Sequence, residues 1–132
     1  MEEPLWFTLA EVQALHEQQI LRFGGSAGIR DLGLSESALA RPKNLWSYGE
    51  PPPDTVALAA AYAYGVMKNH PFVDGNKRVG YVLARVFLLK NGWDVRATGE
   101  EKYLTFYSVA AGELEEEGLA AWLRSHAIRY QS

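Results

Sequence analysis

Apolar positions recur every three to four residues along most of the chain, which predicts helices nearly throughout. Leu9, Val12, Leu15, Gln19/Ile20 and Phe23 mark one face of a first helix, with His16 beside the stripe. Thr8-Leu9-Ala10-Glu11 has the form of a capping box at its start, and Gly24-Gly25 ends it. Gly24 to Leu34 is glycine-rich and reads as a structured turn. Ser35 then caps a short helix through Leu39 to Leu45, perturbed at Pro42. Gly49 and Pro51-Pro52-Pro53 break regular structure between Trp46 and Pro53. Asp54 or Thr55 opens a helix apolar nearly all round, from Val56 to Met67, which suits a core. It ends near Asn69, because Pro71 disfavours an α conformation at His70.

A second core helix spans Asn76 to Asn91, with Val79, Val82, Leu83, Val86, Phe87 and Leu89 inward and Gly92 as terminator. Trp93 to Ala97 is short and extended. Thr98-Gly99-Glu100-Glu101 forms a second capping box, for a helix through Ala110 or Ala111, and Leu114 to Ser125 forms a last helix burying Leu119, Trp122 and Leu123. With no repeat or linker, residues 1–132 are expected to form one all-α domain, a compact helical bundle.

Composition narrows the class. A chain of 132 residues with 48% hydrophobic positions can bury about 68% of its unfolded surface. A net charge of −3 argues against general nucleic-acid binding, and the basic residues do not line up as a recognition helix. Without cysteine there is neither a disulfide framework nor a thiolate nucleophile. The N-terminal segment from Met1 is acidic where a signal peptide is basic, and the uncharged run Val56 to Met67 is too short for a bilayer. The expectation is a cytoplasmic protein that engages no membrane.

The chemistry concentrates in His70-Pro71-Phe72-Val73-Asp74-Gly75-Asn76-Lys77-Arg78, between the two core helices. A helix N-terminus presents unpaired amides and partial positive charge, which suits a phosphate. Gly75 permits a tight turn and close approach of an anion; Asn76 adds a donor; Lys77 and Arg78 add charge. Asp74 calls for a compensating cation such as Mg²⁺ bridging carboxylate and phosphates, although it also suits an N-cap. His70 is the group here with an ordinary pKa suited to base catalysis near neutrality, and its alternative is a structural hydrogen bond at a helix end. Phe72 is expected to point into the core and anchor the loop.

This segment resembles the Fic/Doc family, whose motif reads His-x-Phe-x-Asp/Glu-Gly-Asn-Gly/Lys-Arg and is matched at every defined position. Gly24-Gly25, Gly28-Ile29-Arg30-Asp31, Leu34, Ala38-Leu39-Ala40-Arg41-Pro42, the Ala-rich helix and Val109-Ala110-Ala111-Gly112-Glu113 are similar to its death-on-curing branch. The resemblance implies the Fic/Doc helical fold, with the active-site loop between two central helices. It implies a catalytic set of His70, Asp74, Lys77 and Arg78, with His70 as base for the target hydroxyl and Asp74 as Mg²⁺ ligand. Gly75, Asn76, Lys77 and Arg78 would hold the phosphates of ATP.

Members that transfer AMP commonly carry Gly where Lys77 stands and a second Arg where Tyr81 stands. Lys at the first position accompanies, in the death-on-curing branch, phosphoryl transfer to elongation factor Tu. The resemblance therefore implies a type II toxin, a kinase that blocks translation, restrained by a small antitoxin with a disordered tail. Gly75 is the form found with AMP transfer, so an AMP transferase is the alternative, and a non-enzymatic binding module a third reading. Arg85 is a candidate to replace the missing second Arg. Which target residue is modified, and the oligomeric state, are not written in the sequence.

Other polar residues have plainer readings. His16 fits packing or a satisfied hydrogen bond, His126 exposure near the tail, and Arg30-Asp31 a local salt bridge or else a contact with substrate or antitoxin. Glu113 and Glu115-Glu116-Glu117 fit a solvated helix start. Trp46-Ser47-Tyr48-Gly49 divides evenly between core packing and a flap over a target peptide.

Overall fold

A computed structural model describes residues 2–130; Met1 of the acidic N-terminal segment lies outside them. Its helices are α1 (Leu9–Phe23), α2 (Leu32–Tyr48), α3 (Thr55–Asn69), α4 (Asn76–Lys90), α5 (Gly99–Ala110) and α6 (Glu116–His126), and its strands β1 (Trp93–Val95) and β2 (Ala127–Arg129). The fold is all-α with one small ribbon. None of the described helices is long and apolar enough to cross a membrane.

Helix α3 is the hub. Leu58, Ala59, Ala60, Ala61, Tyr62 and Ala63 are wholly buried, and α3 packs against α2, α4, α5 and α6. Small side chains allow this close approach. A Cβ on Gly65 would meet Ala38 of α2 at 3.4 Å, and one on Gly80 of α4 would lie 2.8 Å from Met67 Cγ of α3. Beside these crossings Phe7, Tyr62 and Phe87 pack ring against ring, with centroids 5.0–6.2 Å apart, and Trp6 stacks on Phe87.

Local signals placed three helix starts. Thr8 and Thr98 form the expected capping boxes, and Asp54 caps α3 by accepting the Ala57 amide at 2.8 Å. The second helix departs from expectation. Asp31, not Ser35, is its N-cap, accepting the Leu34 amide at 3.0 Å, and the helix continues through Pro42 to Tyr48. Proline forfeits one helical hydrogen bond, but buried Pro42 and Ala38 lie on the face turned to α3, where packing outweighs that loss. Phe23 is 62% exposed rather than buried, and in α4 Leu88 takes the buried place expected of Leu89.

The last helix starts at Glu116 because Leu114 is held in the preceding turn, its amide donating to Ser108 O at 3.2 Å. Strand β2 is an addition. It pairs antiparallel with β1, Trp93 opposite Arg129, and the Arg129 guanidinium covers the Trp93 ring at 4.8 Å.

Candidate active site

The loop between α3 and α4 is shaped by two left-handed residues. His70 closes α3 with φ +48° and ψ +55°, so it avoids the right-handed conformation Pro71 disfavours without becoming extended. Among the described residues it is the one non-glycine residue with positive φ, a conformation costing about 1–2 kcal/mol. Gly75 opens α4 with φ +76°, a geometry glycine adopts freely.

Phe72 anchors the loop as expected: it is 2% exposed and stacks on the His16 ring at 3.9 Å. Asn76 fixes it further. The Phe72 amide donates to Asn76 Oδ1 at 3.1 Å, and Asn76 Nδ2 donates to the Phe72 carbonyl at 3.0 Å. The side chain anticipated as an anion donor thus also ties the loop to the start of α4, while Asn76 still lines the cavity beside it. His16 Nε2 donates to the Asp74 carbonyl at 2.7 Å, which gives this buried histidine the satisfied hydrogen bond its pattern suggested.

The glycine-rich segment before α2 backs the loop. Val73 donates to Gly28 O at 3.1 Å, and the amides of Arg30 and Asp31 both donate to Pro71 O, at 2.7 and 3.1 Å. Arg30 forms no salt bridge with Asp31; its Nε donates to His70 O at 2.7 Å and its Nη2 to Asn69 O at 2.9 Å. A Cβ on Gly25 would lie 2.6 Å from Asp74 Oδ2, so this position has to stay bare.

What remains is a cavity of about 350 Å³ lined by His70, Val73, Asp74, Gly75, Asn76, Lys77 and Arg78. The fold therefore brings every candidate residue to one place. The His70 ring is exposed and has no hydrogen-bond partner among the described residues, as a group able to take a substrate proton requires. Asp74 accepts from the Gly75 amide at 2.8 Å and the Ser26 amide at 3.3 Å and forms no ion pair among the described residues. No side chain caps α4, unlike α1, α2, α3 and α5. Lys77 and Arg78 sit in its first turn, where the helix dipole already repels cations. An anion at this end would relieve that repulsion and satisfy the open amides.

No cluster of three metal-ligating side chains exists among the described residues. Asp74 nevertheless suits Mg²⁺, which commonly takes one or two carboxylates and completes its shell with substrate phosphates and water.

Lys77 Nζ lies over the rings of Tyr103 and Tyr107, at 5.0 and 5.5 Å. Arg78 Nη2 donates to Gly24 O at 2.9 Å, bracing the end of α1. Tyr81 packs edge-on against Phe106 and its buried hydroxyl has no partner. It borders a second, apolar cavity of about 550 Å³ adjoining Lys77 and Arg78, with Phe23, Lys102 and Tyr103 in its wall. Arg85, the candidate for a second Arg, is paired with Asp94 at 3.0 Å and lines neither of these two cavities.

Several other readings resolve. His126 is not merely exposed: it stacks on Trp122, its Nδ1 donates to Trp122 O at 2.8 Å, and its Nε2 lies 3.1 Å from Glu101 Oε2. Glu116 is paired with Arg41 rather than only solvated. Trp46 packs edge-on against Trp6, and Tyr48 lines a separate cavity with Arg41 and Glu116. Sequence reasoning missed the α5 aromatics beside Lys77 and the bracing roles of Arg30 and Asn76; the one available signal was their proximity to the motif or to paired glycines.

The profile of the Fic/DOC family matches residues 6–88. The chain is similar to "Protein kinase doc" of Escherichia phage P1, 34% identical over 114 residues, which is 86% of this chain and 89% of that protein. It is also similar to "Toxin Doc" of Mycolicibacterium smegmatis, 38% identical over 77 residues, 58% of this chain and 59% of that protein.

Proposed function

The chain belongs to the Fic/DOC family, and we propose that it is the toxin of a type II toxin–antitoxin pair. In this reading it uses ATP and Mg²⁺ to phosphorylate a hydroxyl on a translation factor, elongation factor Tu first among candidates, and so blocks translation. The observation that carries the proposal is the convergence, in one cavity, of an unpartnered imidazole, an unpaired carboxylate and an uncapped helix N-terminus bearing two cations. The relatives' printed names, a protein kinase and a toxin, support it.

The chemistry follows from the residues. His70 accepts the proton of the target hydroxyl as its oxygen bonds to the γ-phosphorus; the bond from phosphorus to the β–γ bridging oxygen breaks, and ADP leaves. General base assistance contributes about 10²–10⁴-fold. The amides at the start of α4, with Lys77 and Arg78, hold the charge that builds on the phosphoryl oxygens. Mg²⁺, held by Asp74 and phosphate oxygens, would neutralise the nucleotide's charge. Lys77, where AMP-transferring members carry Gly, and Tyr81, in place of their second Arg, favour phosphoryl transfer. A second reading, AMP transfer, is favoured by Gly75, the form found with that reaction. A small antitoxin with a disordered tail is the proposed partner.

Parallel incubations of the protein, Mg²⁺ and elongation factor Tu with γ-labelled and α-labelled ATP test this, with His70→Ala as control. Label from γ alone is expected. Label from α would establish AMP transfer instead. No label from either would sink both reactions on this target and leave the binding module.

A further inference from the structure

Three successive carbonyls, those of Asn69, His70 and Pro71, emerge where α3 ends. All three are met by Arg30 and its neighbour: the guanidinium takes Asn69 and His70, and the amides of Arg30 and Asp31 take Pro71. The Asp31 side chain in turn caps α2, so this fork is mounted on the start of a seventeen-residue helix. A guanidinium presents its donors in a fixed planar array that spans two adjacent carbonyls; a lysine ammonium does not.

The His70 ring makes no hydrogen bond of its own among the described residues. Its direction is therefore set by the backbone at His70 and by its rotamer alone. That backbone is left-handed, precedes a proline and bears a β-carbon, so it persists only because its surroundings impose it. Arg30 is the side chain that grips it.

We propose that Arg30 is a positioning residue for His70: by bridging the Asn69 and His70 carbonyls it holds the left-handed turn that aims the imidazole into the cavity. The proposal rests on the reading of His70 as the base. Arg30 itself touches neither substrate nor reacting atoms in this account.

Arg30→Lys and Arg30→Ala separate this role from a merely structural one. Both variants should keep wild-type circular dichroism. In each, kcat should fall by roughly 100-fold, the scale of an ångström of misplacement, while ATP affinity stays within about twofold of wild type. Millimolar guanidinium should restore part of the activity of Arg30→Ala and none of that of Arg30→Lys. An unchanged kcat in the folded variants overturns the proposal, as does a loss that appears in ATP affinity and not in kcat. If wild-type protein transfers nothing from ATP, the reading of His70 fails first. Resonances of the isotope-labelled His70 ring then decide: displaced or broadened signals in Arg30→Ala uphold the positioning role, and signals coinciding with wild type end it.

Discussion

Asn76→Ala separates bracing the loop from binding the ligand. The Asn76 side chain closes two hydrogen bonds with the backbone of Phe72, at 3.1 and 3.0 Å, and Phe72 is 2% exposed. Removing the amide strands a buried N–H and a buried C=O. Each unpaired group costs about 1–3 kcal/mol, reduced where water from the neighbouring cavity reaches it, so the substitution should cost about 2–4 kcal/mol. For a domain of this size that is a fall of roughly 7–14 °C in Tm. Urea unfolding followed by circular dichroism, with the m-value unchanged, measures it directly. Asn76→Asp keeps the acceptor for the Phe72 amide but sets a carboxylate against the Phe72 carbonyl, and should fall between alanine and wild type. A loss below about 0.5 kcal/mol for Asn76→Ala would refute the bracing argument.

Four expectations accompany it. His70→Ala should leave stability within about 0.5 kcal/mol of wild type, because the exposed ring has no partner, while transfer drops at least about 100-fold in the labelled-ATP assay. Lys77→Met should leave the Tm of the free protein nearly unchanged, since relief of helix-dipole repulsion offsets loss of contact with Tyr103 and Tyr107, but should abolish most of the Tm rise produced by Mg-ATP. Acid should unfold the protein partly through Asp54, whose carboxyl the Arg124 hydrogen bond holds below its ordinary range. A depressed folded pKa gives stability that is present above the unfolded value near 4 and lost as pH falls through the folded one; urea midpoints should be flat from about pH 7 to 5, drop below about pH 4, and drop less in Arg124→Met. Asp94, held low by Arg85 in the same way, should add to that drop, and Arg85→Met should lessen it.

The parts of the fold written locally were readable from sequence. Thr8, Asp54 and Thr98 each meet an amide three residues on, so neighbouring residues announce those helix starts. His70 to Arg78 form one contiguous run, so the candidate site could be read before any packing was known. What escaped depends on distant partners. Pro42 sits inside α2 because of α3, and β2 exists only by pairing with β1, more than thirty residues before it. Arg30 and His16 act on backbone carbonyls 40 and 58 residues away. A carbonyl belongs to every residue alike, so no residue type in the sequence marks it as a partner. The aromatic wall beside Lys77 comes from α5, and its spacing alone reads as an ordinary helix face.

The most direct test is the intact mass of elongation factor Tu recovered from cells in which the wild-type chain, or His70→Ala, is induced without the proposed antitoxin. The account predicts growth arrest and a gain of one phosphoryl group with wild type, and neither with His70→Ala. Unmodified elongation factor Tu, with arrest that persists in a folded His70→Ala protein, would contradict it.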